Sequence, residues 1–371
     1  MNATLDLTPP AGRRRGAWQP SCYYRPGVLL AFGSILVAGF WFLSRYPQLL
    51  GKSEHLGDLV PSMAYGSAIF IVDPAAPAWQ RILATMGNWL NGMKIGMGFG
   101  VLLGAWIHTV LNFYPLKLGS NMYLNSIKGA LIGVPAGVCA NCSVPVACGV
   151  TRGAGRVEAA LGFLFSSPNF NPVVVAMTFA AFPLAMALTK YGVLLLIILG
   201  AVPLLVRWAE RSAKPPAPDS AAQAACAVDL ARPCSQSFGQ VLRQLGPLYL
   251  RHLWNLIRPT LLIMLGASLA SSILLILVPW SELLSDQSPA TVALVSLLAT
   301  AMPVPIALDV MFASNLQSQG VPAGYVAMFA MNLGTYSVIP TIYLWREVSK
   351  RLAAALFFLF WVIGFLVGVI F

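Results

Sequence analysis

Three cysteines, Cys139, Cys142 and Cys148, share one apolar stretch with Asn141, Ser143 and Pro145. Cys139 and Cys142 are spaced i, i+3, which on a helix puts both thiols on one face, with Cys148 about two turns further on. Soft thiolates suit soft cations and trivalent metalloids. A closed structural zinc site would want four ligands, and His55, His108 and His252 lie far off in sequence. A thioredoxin-type CxxC would need an α/β setting. Cysteine also packs well as a small apolar residue between helices, so spacing alone leaves a functional thiol and a packing role both open.

A second polar cluster follows in SSPNFNP, where Ser167, Asn169 and Asn171 are interleaved with prolines. Neutral amides at membrane depth cost free energy unless something polar meets them, and prolines there free backbone carbonyls. Hydrogen bonding between helices is worth only ~0.6 kcal/mol on average, so lining of a solute pathway is the stronger account. Later in the chain, Pro303 and Pro305 interrupt TAMPVPIALDVMF, and Asn332 lies in another apolar run. Asp309 in the first of these must be neutral, paired or wet, which suits a proton-coupling carboxylate; the alternative is a position at a helix end near the interface. Lys94, in NWLNGMKIGMGFG, is a candidate coupling partner or anion contact, against a snorkelling role. Arg152, Arg156 and Glu158 flank a short turn and are read as setting topology.

The elements that must position these groups are helices in a bilayer. The chain has 371 residues, 58% hydrophobic and 9% charged, with mean hydropathy +0.74. No soluble domain tolerates such a surface, and the apolar runs are continuous rather than alternating, which excludes a barrel. The expected fold is an all-α polytopic membrane protein of about nine or ten transmembrane helices, in two repeated halves with broken or re-entrant helices. The net charge of +11 resides mainly in loops, so it reads as topogenic charge against anionic lipid and not as nucleic-acid binding. The expected partners are a small-molecule substrate and membrane lipids, with a homo-oligomer left open. No cofactor is expected. Neither a phosphate loop nor the HExxH and GxSxG motifs occur.

Along the chain, residues 1–26 read as a polar N-terminal tail and 27–81 as an extra helix with its connecting segment. That helix runs over about 28–43 and is retained, since no cleavage site follows it closely. Residues 59–72 form a shorter apolar piece, marginal for a span. Residues 82–206 make the first membrane repeat, with runs near 82–113, 127–150, 157–188 and 191–206. A polar linker occupies 207–250, and the second repeat occupies 251–371, with runs near 253–279, 291–310, 323–344 and 352–371. The halves correspond in residues: SVPVA at 143–147 matches PVPIA at 303–307, and Gly153, Ala160 and Pro172 match Gly320, Ala327 and Pro340. Paired interrupted helices of this kind point to a transporter site at the repeat interface.

From Ala136 to Pro172 the chain resembles the predicted-permease family that includes bacterial efflux permeases for trivalent organoarsenicals, the YraQ/ArsP-like proteins. Cys142, Pro145, Gly153, Ala154, Phe163, Leu164, Ser167, Pro168, Asn171 and Pro172 carry the resemblance, with Pro305, Gly320 and Asn332 in a weaker second copy. The family's Cys-Ser-Cys-Gly turn reads Cys-Ala-Asn-Cys here. The resemblance implies a permease with paired halves in the bacterial cytoplasmic membrane. The leading expectation is therefore a secondary transporter, not an enzyme, exporting a small soft or thiol-reactive solute such as a trivalent organoarsenical. A passive channel for a small solute or anion, and a membrane thiol oxidoreductase using CANC, are the alternatives.

Overall fold

The computed structural model describes residues 24–54, 69–114, 118–212, 237–304 and 306–371. These are mostly helical, with no strand among them. The protein is an all-α polytopic membrane protein. The N-terminal helix comprises α1 (Tyr24–Phe40), a π-helical turn (Trp41–Arg45) and α2 (Tyr46–Glu54). Helix α3 (Ala78–Phe113) follows, then α4 (Met122–Ala136), α5 (Ala140–Ala154), α6 (Val157–Asn169), α7 (Pro172–Ala181), α8 (Leu184–Leu196) and α9 (Val202–Ser212). Beyond lie α10 (Phe238–Leu277), α11 (Trp280–Ser285), α12 (Pro289–Ala301), α13 (Leu308–Ser318), α14 (Ala323–Asn332), α15 (Val338–Glu347) and α16 (Lys350–Ile370).

Five helices among the described residues are long and apolar enough to cross a bilayer, or six if the bent pair α6 and α7 is one span. The other apolar runs read in the sequence are divided by the breaks expected there, and each break has a chemical origin. The run 127–150 is cut where Gly137 adopts φ 58° and closes α4, a backbone state open to glycine at little cost. The run 157–188 is cut at Phe170 and Asn171 and again at Phe182 and Pro183. The run 291–310 breaks between α12 and α13, and 323–344 breaks between α14 and α15. The piece read at 59–72 falls outside the described residues except for 69–72, which are not helical. Of the segment 207–250, residues 207–212 end α9, 238–250 begin α10, and 213–236 lie outside the described residues.

Small residues set the packing. Helices α3 and α5 meet with backbone against side-chain-free backbone: a Cβ added at Gly100 or Gly104 would strike the carbonyls of Cys142 or Pro145. Helices α4 and α6 meet in the same way, through Gly129 and Gly162. Such contacts let dispersion accumulate where lipid offers no hydrophobic gain for association.

Candidate functional site

Each break leaves the first N–H groups of a new helix without intrahelical partners, and side chains supply the acceptors. Cys139 caps α5, its Sγ accepting from Cys142 N at 3.1 Å. Asn171 caps α7 through Val173 N at 2.9 Å, with Pro172 at the first helical position, where its missing N–H is no loss. Ser337 caps α15 through Ile339 N at 3.2 Å. Helix α13 starts differently: Ala307 takes φ 62°, a left-handed state in which a Cβ is strained.

The four breaks meet through buried polar side chains. Asn141, just after the first break, donates from Nδ2 to Val304 O at 3.1 Å, on the third. It also accepts from Ser337 Oγ at 2.6 Å, on the fourth. Asn169, at the edge of the second, accepts at Oδ1 from Thr335 Oγ1 at 3.2 Å and donates to Phe165 O at 3.0 Å. Trp89 of α3 donates to Pro303 O at 2.9 Å. All these side chains are buried, so a hydrogen bond lost here would leave an unpaired group in a medium without water.

One ion pair crosses the same region. Lys190 Nζ of α8 lies 2.7 Å from Asp309 Oδ2 in the first turn of α13, both side chains 3% exposed. Gly334 leaves the space that Asp309 fills, since a Cβ there would stand 2.5 Å from the carboxylate carbon. Next to Lys190, the Tyr191 hydroxyl donates to Thr178 Oγ1 at 3.1 Å.

Several side chains singled out in the sequence fall in this centre. Cys139 and Cys142 are joined as a disulfide, with Met93 Sδ 3.9 Å from Cys139 Sγ. Ser143 bonds back to Ala140 O at 2.7 Å, and Ser167 Oγ accepts from Val138 N at 3.1 Å across the first break. Pro145 lies inside α5 with its carbonyl against Gly104. Others stand apart. Cys148 is a buried free thiol further along α5. Asn332 donates to Thr300 Oγ1 at 2.9 Å and Phe360 O at 3.1 Å, tying α14 to α12 and α16. Lys94 is exposed on α3 and does not meet Asp309. Pro305 lies outside the described residues.

Glu158, read as a topology residue, is fully buried and accepts from Asn125 Nδ2 at 2.8 Å. Arg152 does pair near the surface, with Glu347 at 2.8 Å. Two buried cations were not singled out in the sequence, Lys190 and Arg45. Each sits among apolar neighbours, the signal that drew attention to Lys94. Among the described residues no group of three or more His, Cys, Asp or Glu could hold a metal ion. A cavity of about 830 Å³ opens beside the centre, between residues 69–72, α3, the α10–α11 corner and the end of α13. Phe70, Asn88, Trp280, Phe312 and Gln319 are among its lining residues.

This combination of interrupted helices, capped breaks and a buried ion pair in a membrane bundle agrees with comparison to known proteins. A family model described as a predicted permease of the ArsP type matches residues 86–371, more than half of the chain. The chain belongs to this permease family. It is also 23% identical over 201 residues to UPF0718 protein YraQ of Escherichia coli (strain K12), covering 54% of this chain and 56% of that protein. The chain thus spans about half the length of the curated relative it matches. No solved structure matches. The permease match begins inside α3, so the N-terminal helix with Arg45 precedes it.

Proposed function

We propose that this permease is a secondary transporter that exports a small soft or thiol-reactive solute, a trivalent organoarsenical being the sharpest candidate, from the bacterial cytoplasm. The observation that carries the reading is Asn141, whose one amide joins the first, third and fourth breaks. Broken helices meeting near mid-bundle are where transporters expose backbone groups and helix ends to a solute, and where two parts of a bundle can rock about a fixed site. The matching order of long helix, broken pair and broken pair in α3–α9 and α10–α16 supports a repeated architecture.

In this mechanism Lys190 and Asp309 form the coupling element. Protonation of Asp309 would remove the charge that holds Lys190 and free α8 from α13, so the pair's state and the arrangement of the parts are linked. The solute meets the breaks at Asn141 and Asn169, and at Cys139 when the Cys139–Cys142 disulfide is reduced. Everted vesicles loaded through an imposed proton gradient test the reading. Uptake of a trivalent organoarsenical that collapses with the gradient is expected, and uptake indifferent to the gradient would remove the secondary-transport mechanism. Unchanged transport in a Cys139/Cys142/Cys148 triple serine variant would remove the thiol contribution.

The Cys139–Cys142 disulfide favours a second reading, thiol–disulfide exchange at CANC. A Cys142→Ser variant that captures no mixed disulfide in membranes would dispose of it.

A further inference from the structure

The first break is bordered by hydrogen-bond donors that nothing in the described structure accepts. Arg45 is 5% exposed. Its Cζ lies 4.8 Å from the Phe40 ring centroid, and Phe40 itself stacks on Phe99. Nη1 reaches Gln48 Oε1 only at 3.5 Å, while Nε is buried without a partner. The ion pairs among the described residues, Arg152–Glu347 and Lys190–Asp309, leave Arg45 out. A guanidinium buried with no acidic partner among the described residues is expensive, and the cost falls when an anion accompanies it.

A second orphan donor borders the same break. Asn171 is fully buried, its Oδ1 is used to cap α7, and its Nδ2 has no partner. That nitrogen stands 2.8 Å from where a side chain at Gly137 would begin, beside the Trp41 ring. Arg45 Nη2 and Cys142 Sγ likewise crowd one point, 3.1 and 3.0 Å from where a Cβ of Gly96 would be. The π-helical turn Trp41–Arg45 directs both side chains at the break, with Trp41 Nε1 donating to Pro135 O at 2.6 Å. Helices α5 and α7 also begin here, so the positive ends of two helix dipoles add to the donors.

We infer that the first break, bordered by Arg45 Nε, Asn171 Nδ2 and the N-termini of α5 and α7, is a binding site for one small anionic group, a carboxylate or oxyanion carried by the transported solute. This rests on the permease reading and narrows its substrate class to solutes with an acidic group beside the soft centre that CANC would meet. The N-terminal helix, which precedes the family match, supplies the charge and with it the selectivity.

The test reads binding without transport. Full-length protein in phosphatidylcholine nanodiscs is titrated with sodium acetate and, separately, with acetamide, following the thermal unfolding midpoint at constant ionic strength. Acetate is expected to raise the midpoint saturably and acetamide to leave it unchanged. Arg45→Gln is expected to weaken the apparent acetate affinity about tenfold, the loss of one charge-assisted contact, and Arg45→Lys to recover part of it. Gly96→Ala, which places a methyl between Arg45 and Cys142, supplies a second variant that keeps the charge and should also weaken acetate. Equal responses to acetate and acetamide, or an acetate affinity indifferent to all three variants, would overturn the site. Loss of the acetate response on adding phosphatidylglycerol would assign the anion to lipid and overturn the solute assignment. A protein that binds acetate yet moves no solute would count against the permease reading and leave the anion site standing.

Discussion

Lys190 and Asp309, 119 residues apart in sequence, form a buried ion pair at 2.7 Å between α8 and the first turn of α13. Removing one partner leaves the other charged and alone in a medium of low polarity. Lys190→Met or Asp309→Leu singly should therefore destabilise the protein by roughly 3–5 kcal/mol, whereas the double variant should recover most of that loss. Denaturation in detergent measures the stability. Gradient-driven uptake separates the roles, because the double variant is expected to be stable and uncoupled. Wild-type coupling in that variant would make the pair purely structural.

Asn141 and Ser337 share a hydrogen bond of 2.6 Å between two breaks. A double-mutant cycle of Asn141→Ala and Ser337→Ala should show a coupling energy of about 0.6 kcal/mol, with ~1.7 kcal/mol as the upper end for such bonds in a membrane. Asn141→Ala also releases Val304 O, so its own cost should exceed that of Ser337→Ala. A coupling of zero would mean that the Asn141–Ser337 bond adds nothing to the hold between the first and fourth breaks.

Gly104 of α3 leaves space for the Pro145 carbonyl of α5. Gly104→Val should force the helices apart at a cost of roughly 1–3 kcal/mol, visible as a lower midpoint and lower folded yield in size-exclusion chromatography. Gly98→Ala on the same helix meets nothing within 4 Å and serves as the neutral control.

Asp286 lies in the exposed turn before α12 and accepts from Thr291 Oγ1 at 2.6 Å and from Ser288 N and Oγ at 2.9 Å. These bonds hold its carboxyl below the ordinary value of 3.8. The stability it contributes is present above that value and is lost as the pH falls through the lower, folded-state value. Asp286→Asn should remove this acid-range component of the unfolding midpoint and leave neutral-pH behaviour almost unaltered. A pH titration of the midpoint in both proteins checks it.

The breaks were legible because their residues are conspicuous in an apolar run: Pro145, Pro172, Pro303 and the asparagines have no place in an uninterrupted span. What each break would face was not legible, since the partners of Asn141 lie 163 and 196 residues away. The two missed cations share one cause. A charge lowers local hydropathy, so runs appear to end beside it; the runs near 28–43 and 157–188 stop just short of Arg45 and Lys190. In the structure the N-terminal helical segment and α8 continue through both residues. The same logic made Lys94 look central, whereas its side of α3 is exposed. Which charge faces inward depends on helix rotation, which for α3 is fixed by its glycine contacts with α5.

Those glycine contacts also constrain how the protein can move. Along α3 and α5 the seam runs from Gly100 on Cys142 through Gly104 on Pro145 to Gly149 on Gly104. Backbone meshed with backbone has no compliant side chains to absorb sliding. The two helices therefore behave as one keyed lever, and a tilt of α5 at the hinge 137–139 would swing α3 with it. Because Asn88 of α3 lines the large lateral cavity and the adjacent Trp89 grips Pro303, that swing would reshape the cavity mouth and pull on the opposite hinge in a single stroke.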